Sequence, residues 1–265
     1  MMEKSTGPRL IIQMDAAQWV GTREEQQDYV NSSRPELQDE LGVLCVLADG
    51  MGGLTGGREA AKAVGDTMVG IFHSSSAVEA PEQILLRGCY FSQQEVLRQQ
   101  QSPNDRGATL IAVLVRDGRC SFISVGDSRI YLFRKGGLIL LTRDQNKGAR
   151  IDAQIGLGRL PEEARTDAKR AALTSFIGME KLEHPDRSSH SFPLGPGDRI
   201  ILVSDGVHGT LSEAEMTECL FLPTEQVCEA ILNKVVEKKR ENQDNSSVAL
   251  VDIIAAYGEE GIPLV

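Results

Sequence analysis

Four short apolar runs follow one another at residues 108–115, 119–125, 129–134 and 138–141. They are separated only by brief polar turns carrying Asp117-Gly118, Gly126-Asp127-Ser128 and Lys135-Gly136-Gly137. Runs of this length are too short for helices, and the gaps leave no room for crossover connections. They therefore predict a meander of antiparallel hairpins. Asp117-Gly118 lies between two alternating segments and is fully explained as a hairpin turn.

Further strands are expected at residues 10–14, 41–48, 200–204 and 247–254. Helices are expected at 57–74, 81–100, 212–220 and 225–240. Val64, Met68, Ile71 and Phe72 fall on one helical face, as do Val227, Ile231 and Val235. Ser212 is a plausible N-cap. Residues 142–191 are polar and charged, with room for one or two short helices, and a stretch of that kind inside a compact domain is usually functional or mobile. Antiparallel strands bracketed by two pairs of helices predict an α+β fold, with sheets packed together and helices outside. The chain has no repeats and no linker that would split it, so residues 1–265 are expected to form one domain.

Two apolar runs end abruptly in Asp-Gly without a following strand: Asp49-Gly50 after residues 41–48, and Asp205-Gly206 after residues 200–204. A third carboxylate, Asp244, stands just before the last strand. A carboxylate at the end of a buried strand is rigidly held, which suits a hard cation that wants fixed oxygen ligands. Three of them, far apart in sequence, are candidates for one metal centre.

The formal net charge is -10, with no block of like charge. That argues against nucleic acid and anionic membrane as partners. No apolar run approaches the ~18 residues of a membrane span. The first residues lack the apolar region of a signal peptide. Cys45, Cys89, Cys120, Cys219 and Cys228 are odd in number, unpaired in spacing and mostly in apolar surroundings, as expected of reduced core residues in a cytoplasmic protein. None has an arginine six residues later, so the loop of cysteine-dependent phosphatases is absent. The glycine-rich segment after Asp49 lacks the Gly-Lys-Ser/Thr ending of a nucleotide P-loop. His73, His184, His190 and His208 show no zinc spacing. Each is expected at the solvated surface, with His208 of most interest because it lies three residues after Asp205.

Several segments in order, VGTREEQQDYV, LADGMGG, GATLIAVLV, SVGDSRIYLFRKG, LTRDQN, LGPGDRIILVSDGVHG and QDNSSVALV, resemble the metal-dependent protein phosphatases of the type 2C Ser/Thr class. Methionine at position 51, where animal members carry histidine, resembles the bacterial branch. The resemblance covers nearly the whole chain. It implies a four-layer α-β-β-α sandwich of two antiparallel sheets flanked by helices, with a dinuclear metal site at one end. It maps the bridging carboxylate onto Asp49, with the Gly50 carbonyl beside it, and further ligands onto Asp205 and Asp244. Asp28 matches a carboxylate that acts on the metal through water, Arg23 the arginine that holds the substrate phosphate, and Asp127 a weaker third metal site. Residues 142–191 correspond to a variable flap over the site.

The chemistry suits that mapping. Two divalent cations can bind a bridging water, lower its pKa and neutralise phosphoryl charge. An all-oxygen donor set favours Mn²⁺ or Mg²⁺ over Zn²⁺. Guanidinium makes two parallel bonds to phosphate oxygens. Three positions depart from the family pattern. Gln27 before Asp28 removes one negative charge near the metal, Met51 removes an imidazole able to protonate the leaving alkoxide, and Gln145 replaces a histidine outside the ligand set. The expected function is Mn²⁺- or Mg²⁺-dependent hydrolysis of phosphoserine and phosphothreonine on proteins, the targets of a Ser/Thr kinase. Two ions would be tightly bound and a third held weakly. The alternative from another class is a catalytically weak phosphatase-like module that binds phosphoproteins as a regulator.

Overall fold

The computed structural model describes residues 10–52 and 56–255. The middle of the glycine-rich segment, residues 53–55, lies outside them, as do both ends of the chain. Two antiparallel sheets dominate. The first runs in the order Leu10–Trp19, Ser246–Ala255, Arg199–Val203, Arg129–Arg134, Gly137–Leu140. The second runs Asp186–Arg187, Arg119–Val125, Leu110–Arg116, Val43–Ala48, Tyr29–Ser32, with Phe192–Pro193 also paired to Arg119–Val125.

The strands read as continuous apolar runs because both of their faces are covered. Side chains alternate across a strand. Cys45 and Leu47 therefore point between the sheets with Ile111, Val113, Ile130 and Leu202. Leu44, Val46 and Ala48 point the other way, toward Val64, Met68 and Phe72 of the Gly56–His73 helix and Ile84 and Leu85 of the Pro81–Gln99 helix. The outer face of the first sheet does the same: Tyr131, Ile201 and Val248 meet Met216 of the Glu213–Cys219 helix and Val227, Ile231 and Val235 of the Thr224–Glu237 helix. The result is a four-layer α-β-β-α sandwich, as the resemblance implied. A side chain buried this way contributes roughly 1.5–3 kcal/mol, which each strand collects on two faces. All five cysteines are free and buried. No helix among the described residues is long and apolar enough to cross a membrane.

Three differences from the sequence expectation bear on function. The runs between residues 108 and 141 are not one meander: the hairpin Leu110–Arg116/Arg119–Val125 lies in the second sheet, and Arg129–Arg134/Gly137–Leu140 lies in the first. Gly126, at φ +103°, turns the chain from one sheet to the other, with Thr109 packed so closely that a Cβ would stand 2.6 Å from its side chain. Asp49 is followed by a two-residue strand, Gly50–Met51, paired with Gly107–Ala108. An unpredicted strand, Tyr29–Ser32, pairs with Val43–Ala48 and sets Tyr29 opposite Ala48, so Asp28 and Asp49 emerge side by side. Residues 142–191 agree with the expectation of one or two short helices: they contain the helix Lys147–Gly156 and a short 3₁₀ segment, Glu162–Thr166.

The first sheet brings Asp205 and Asp244 to the same end, because Arg199–Val203 leads out to Asp205 while Asp244 leads into Ser246–Ala255. Gly206 permits this approach, since a Cβ there would overlap the carbonyl oxygen of Asn245 and stand 2.8 Å from Ser246 Oγ. Gly206→Ala is therefore expected to destabilise the fold by about 1–3 kcal/mol through overpacking against backbone. Urea unfolding measures this, and a midpoint unchanged from the parent would show that the approach is not tight.

Candidate metal centre

Asp49, Asp127, Asp205 and Asp244 line one open cavity of about 720 Å³ at the end of the sandwich, together with Arg23 and Gln27. Gly50 lines it too, in a place only glycine fits: a Cβ would overlap the Gly57 carbonyl and stand 2.7 Å from the Gln27 carbonyl. Asp28 is not on the wall. It lies behind it, 5% exposed. The five sequence-predicted carboxylates thus fall at one end of the molecule, four from strand ends and one, Asp127, from the turn that changes sheets, with Arg23 and Gly50 beside them.

Each carboxylate is fixed by its own neighbours. The Asp49 backbone exchanges bonds with Thr109: Asp49 N donates to Thr109 Oγ1 at 2.9 Å and Thr109 N to Asp49 O at 2.8 Å. Ser204 Oγ donates to Asp28 Oδ2 at 2.9 Å, while Ser247 N donates to Ser204 Oγ at 2.9 Å. Asn245 laces the loop before Asp28 to the start of the last strand, accepting from Gln27 N at 2.8 Å and donating to the carbonyls of Val20 and Glu25. Asn146 Nδ2 donates to Asp127 Oδ2 at 3.2 Å. Arg23 Nη2 donates to Asp244 Oδ2 at 2.7 Å across a solvent-exposed contact.

Thr109, Ser204, Asn245 and Asn146 were not singled out in the sequence, because a lone hydroxyl or amide carries no spacing signal. His208 differs from its expected surface position. It is half-buried on the short helical turn Asp205–His208, and its Nε2 donates to the Asp127 carbonyl at 2.9 Å, the only role that partner allows. Burial, helped by the Arg129 charge, pushes the imidazole down to about 4, so it stays neutral. Gln145 also does more than expected: its Oε1 accepts from Gly126 N at 2.9 Å, holding the turn that carries Asp127.

Like charges crowded out of water cannot all ionise. Burial, reinforced by Asp28 and Asp205, holds the Asp49 carboxyl well above the usual carboxylate range. Burial raises Asp28 to about 7 against the pull of the Ser247 and Ser204 hydroxyls, and raises Asp127 to about 6 with Asp205 adding to it. Asp205 is raised by burial and by Asp244, and lowered in part by a hydrogen bond from the Asp49 carboxyl. A cation among these carboxyls would relieve their mutual repulsion.

Among the described residues no group of three His, Cys, Asp or Glu side chains is posed to hold a metal ion as it stands. Arg23 engages Asp244. The donor set nonetheless fits hard divalent cations, being all oxygen and clustered, and Asp28 Oδ1 is buried with no hydrogen-bond partner among the described residues.

Residues 21–244 match the sequence pattern of the family described as protein phosphatase 2C. The chain belongs to that family. This phosphatase 2C member is 26% identical over 240 residues to the protein phosphatase PhpP of Streptococcus pneumoniae, covering 87% of this chain and 93% of that one. It is 26% identical over 216 residues to the serine/threonine protein phosphatase PstP of Mycobacterium tuberculosis, covering 80% of this chain but spanning only 40% of PstP. The serine/threonine phosphatase structure of S. agalactiae superposes with a TM-score of 0.78 at 26% identity, over 91% of this chain and 99% of that one.

The raised carboxyl of Asp28 gives a signed pH dependence in the metal-free protein. Below pH 4 it is protonated in both folded and unfolded chains. Between about 4 and 7 only the unfolded chain ionises it, so stability is lost as pH rises through that window. Asp28→Asn removes the effect. The variant is expected to gain on the parent by up to about 1.4 kcal/mol per pH unit between pH 4 and 7, measured by urea unfolding in chelator. A parallel pair of pH profiles would show that Asp28 ionises normally.

Proposed function

We propose that this chain hydrolyses phosphoserine and phosphothreonine on proteins with two divalent cations, Mn²⁺ or Mg²⁺, held by Asp49, Gly50, Asp205 and Asp244. Asp28 would act from behind through water, and Asp127 would hold a weaker third ion. The observation that carries this reading is the convergence of five carboxylates on one end of the sandwich, with an exposed arginine at the rim. The related PstP catalytic domain has been solved in complex with two manganese ions. When bound, such ions lower the pKa of a water and neutralise the oxygens of a phosphomonoester.

The chain's own residues supply the rest. Asp49 and Asp205, whose carboxyls are raised by burial and by neighbouring acids, would gain most from positive charge brought beside them. Arg23, 58% exposed and held among the described residues by Asp244, is free to trade one carboxylate for a phosphate of similar geometry. Ser204 and Ser247 keep Asp28 in place while the charge in front of it changes. Met51 lines the cavity and offers no titratable group, so no proton for the leaving oxygen comes from that position.

In this reading residues 1–265 form a single phosphatase domain with a flap at about 142–191, and phosphorylated targets of a Ser/Thr kinase are its substrates. The five buried, unbridged cysteines support a cytoplasmic setting.

Turnover of a small aryl phosphate is expected with Mn²⁺ and lost in chelator, and Asp49→Asn is expected to lower it about a hundredfold or more while remaining folded. Phosphopeptide binding without metal-dependent turnover would instead make the chain a binding module.

Arg23→Ala tests the rim separately. A charge-assisted bond of about 1.5–3 kcal/mol predicts a KM, and an inhibition constant for free phosphate, raised about tenfold to a hundredfold, with kcat changed much less. An unchanged KM would make Arg23 an ordinary surface charge.

A further inference from the structure

Within the flap, residues 170–174 are zipped to residues 145–148, and that strip in turn is bonded to the turn carrying Asp127. Gly148 N donates to Arg170 O at 2.8 Å, Lys147 N to Ala172 O at 2.9 Å, and Thr174 N to Gln145 O at 2.8 Å, with a backbone bridge between Asn146 and Leu173. Residues 171–173, on the flap side of this zipper, line the same cavity as Asp49 and Asp127. On its other side Gln145 is bonded in both directions to Gly126: Gly126 N donates to Gln145 Oε1 at 2.9 Å, and Gln145 N donates to Gly126 O at 2.8 Å.

Asn146 sits at the middle of this strip and uses both ends of one amide. Its Oδ1 accepts from Ala149 N at 2.9 Å and caps the Lys147–Gly156 helix, while its Nδ2 donates to Asp127 Oδ2 at 3.2 Å. Oxygen and nitrogen of an amide are held in one plane. The side chain therefore cannot turn to follow the helix without moving its donor relative to Asp127.

We propose that Asn146 is a positioning residue that couples the flap to Asp127, so that a phosphopeptide pressing on residues 171–173 tightens the cation held at the Asp127 carboxylate. The inference rests on the reading of Asp127 as a weak third cation site. Linkage makes the effect reciprocal: the cation at Asp127 must also tighten the peptide, by the same factor. A small aryl phosphate, too short to reach the flap, gains nothing from it.

The experiment is a Mn²⁺ titration in which free Mn²⁺ is read by electron paramagnetic resonance, with and without a non-hydrolysable phosphonate peptide. In the parent protein the peptide is expected to tighten the weakest Mn²⁺ site about threefold to tenfold, the scale of one ordinary net hydrogen bond. Asn146→Ser keeps a good helix cap and drops the amide donor. It is expected to cut that shift below about twofold, with the thermal midpoint and the trypsin resistance of the flap unchanged. If serine fails to cap, trypsin cuts the flap early. Asn146→Asp, which keeps the acceptor and lacks the donor, then replaces it in the same comparison. A full peptide-induced shift in the variant that keeps its flap overturns the proposal.

Asp127→Ala separates the two ideas. Loss of the weak site in Asp127→Ala, with the peptide shift intact in Asn146→Ser, removes the coupling alone. Retention of every Mn²⁺ site in Asp127→Ala removes the third-cation reading, and the coupling with it.

Discussion

Repulsion among buried carboxylates is the constraint on which the rest of the structure turns. Left to solvent, five acids would separate. Here Asp28, Asp49, Asp127, Asp205 and Asp244 are held together because each is attached to a strand end or inter-sheet turn that cannot move independently. The strands resist because both of their faces are buried, one between the sheets and one under helices. Shifting a strand by one residue would exchange the two faces and misplace every side chain on it. The stability of the layered core is thus what holds the charges against one another, and the raised carboxyls of Asp28, Asp49, Asp127 and Asp205 are the visible strain.

Hydroxyls and amides tune that strain. Ser204 and Ser247 stabilise the ionised form of Asp28, and Asn146 does the same for Asp127. The neutral imidazole of His208 fixes the Asp127 backbone without adding charge. Asp205 and His208 lie on a single helical turn, so a carboxylate of one strand end and the anchor of the inter-sheet turn move as a unit.

The strands that proved easiest to read from sequence are those with two buried faces, such as Val43–Ala48 and Arg199–Val203, where an unbroken apolar run ends in a charged residue. Tyr29–Ser32 was illegible because all four of its residues are half-buried and two, Asn31 and Ser32, are polar. The division of the hairpins between two sheets was illegible for another reason. Gly126-Asp127-Ser128 resembles any other tight turn, and only the packing of Thr109 against Gly126 makes it a change of sheet. The carboxylates of the candidate site were legible because each stands at an abrupt change of pattern. Their supports were not: Ser204, Asn245 and His208 are ordinary residues whose partners lie far away in the chain.

The division of the site between the sheets has a thermodynamic corollary. Asp28 and Asp49 leave the second sheet, whereas Asp205 and Asp244 belong to the first. An ion shared across that seam, as proposed, would act as a cross-link closing a very long loop, and cross-links of that kind restrict the unfolded chain most. Each sheet carries its own helical layer and its own outer apolar cluster. Without the cross-link, the sheets are joined by their shared interior and by chain crossings such as Gly126. In the proposed reading, occupancy of the site would govern how cooperatively the two halves melt, as well as whether a phosphate is cleaved.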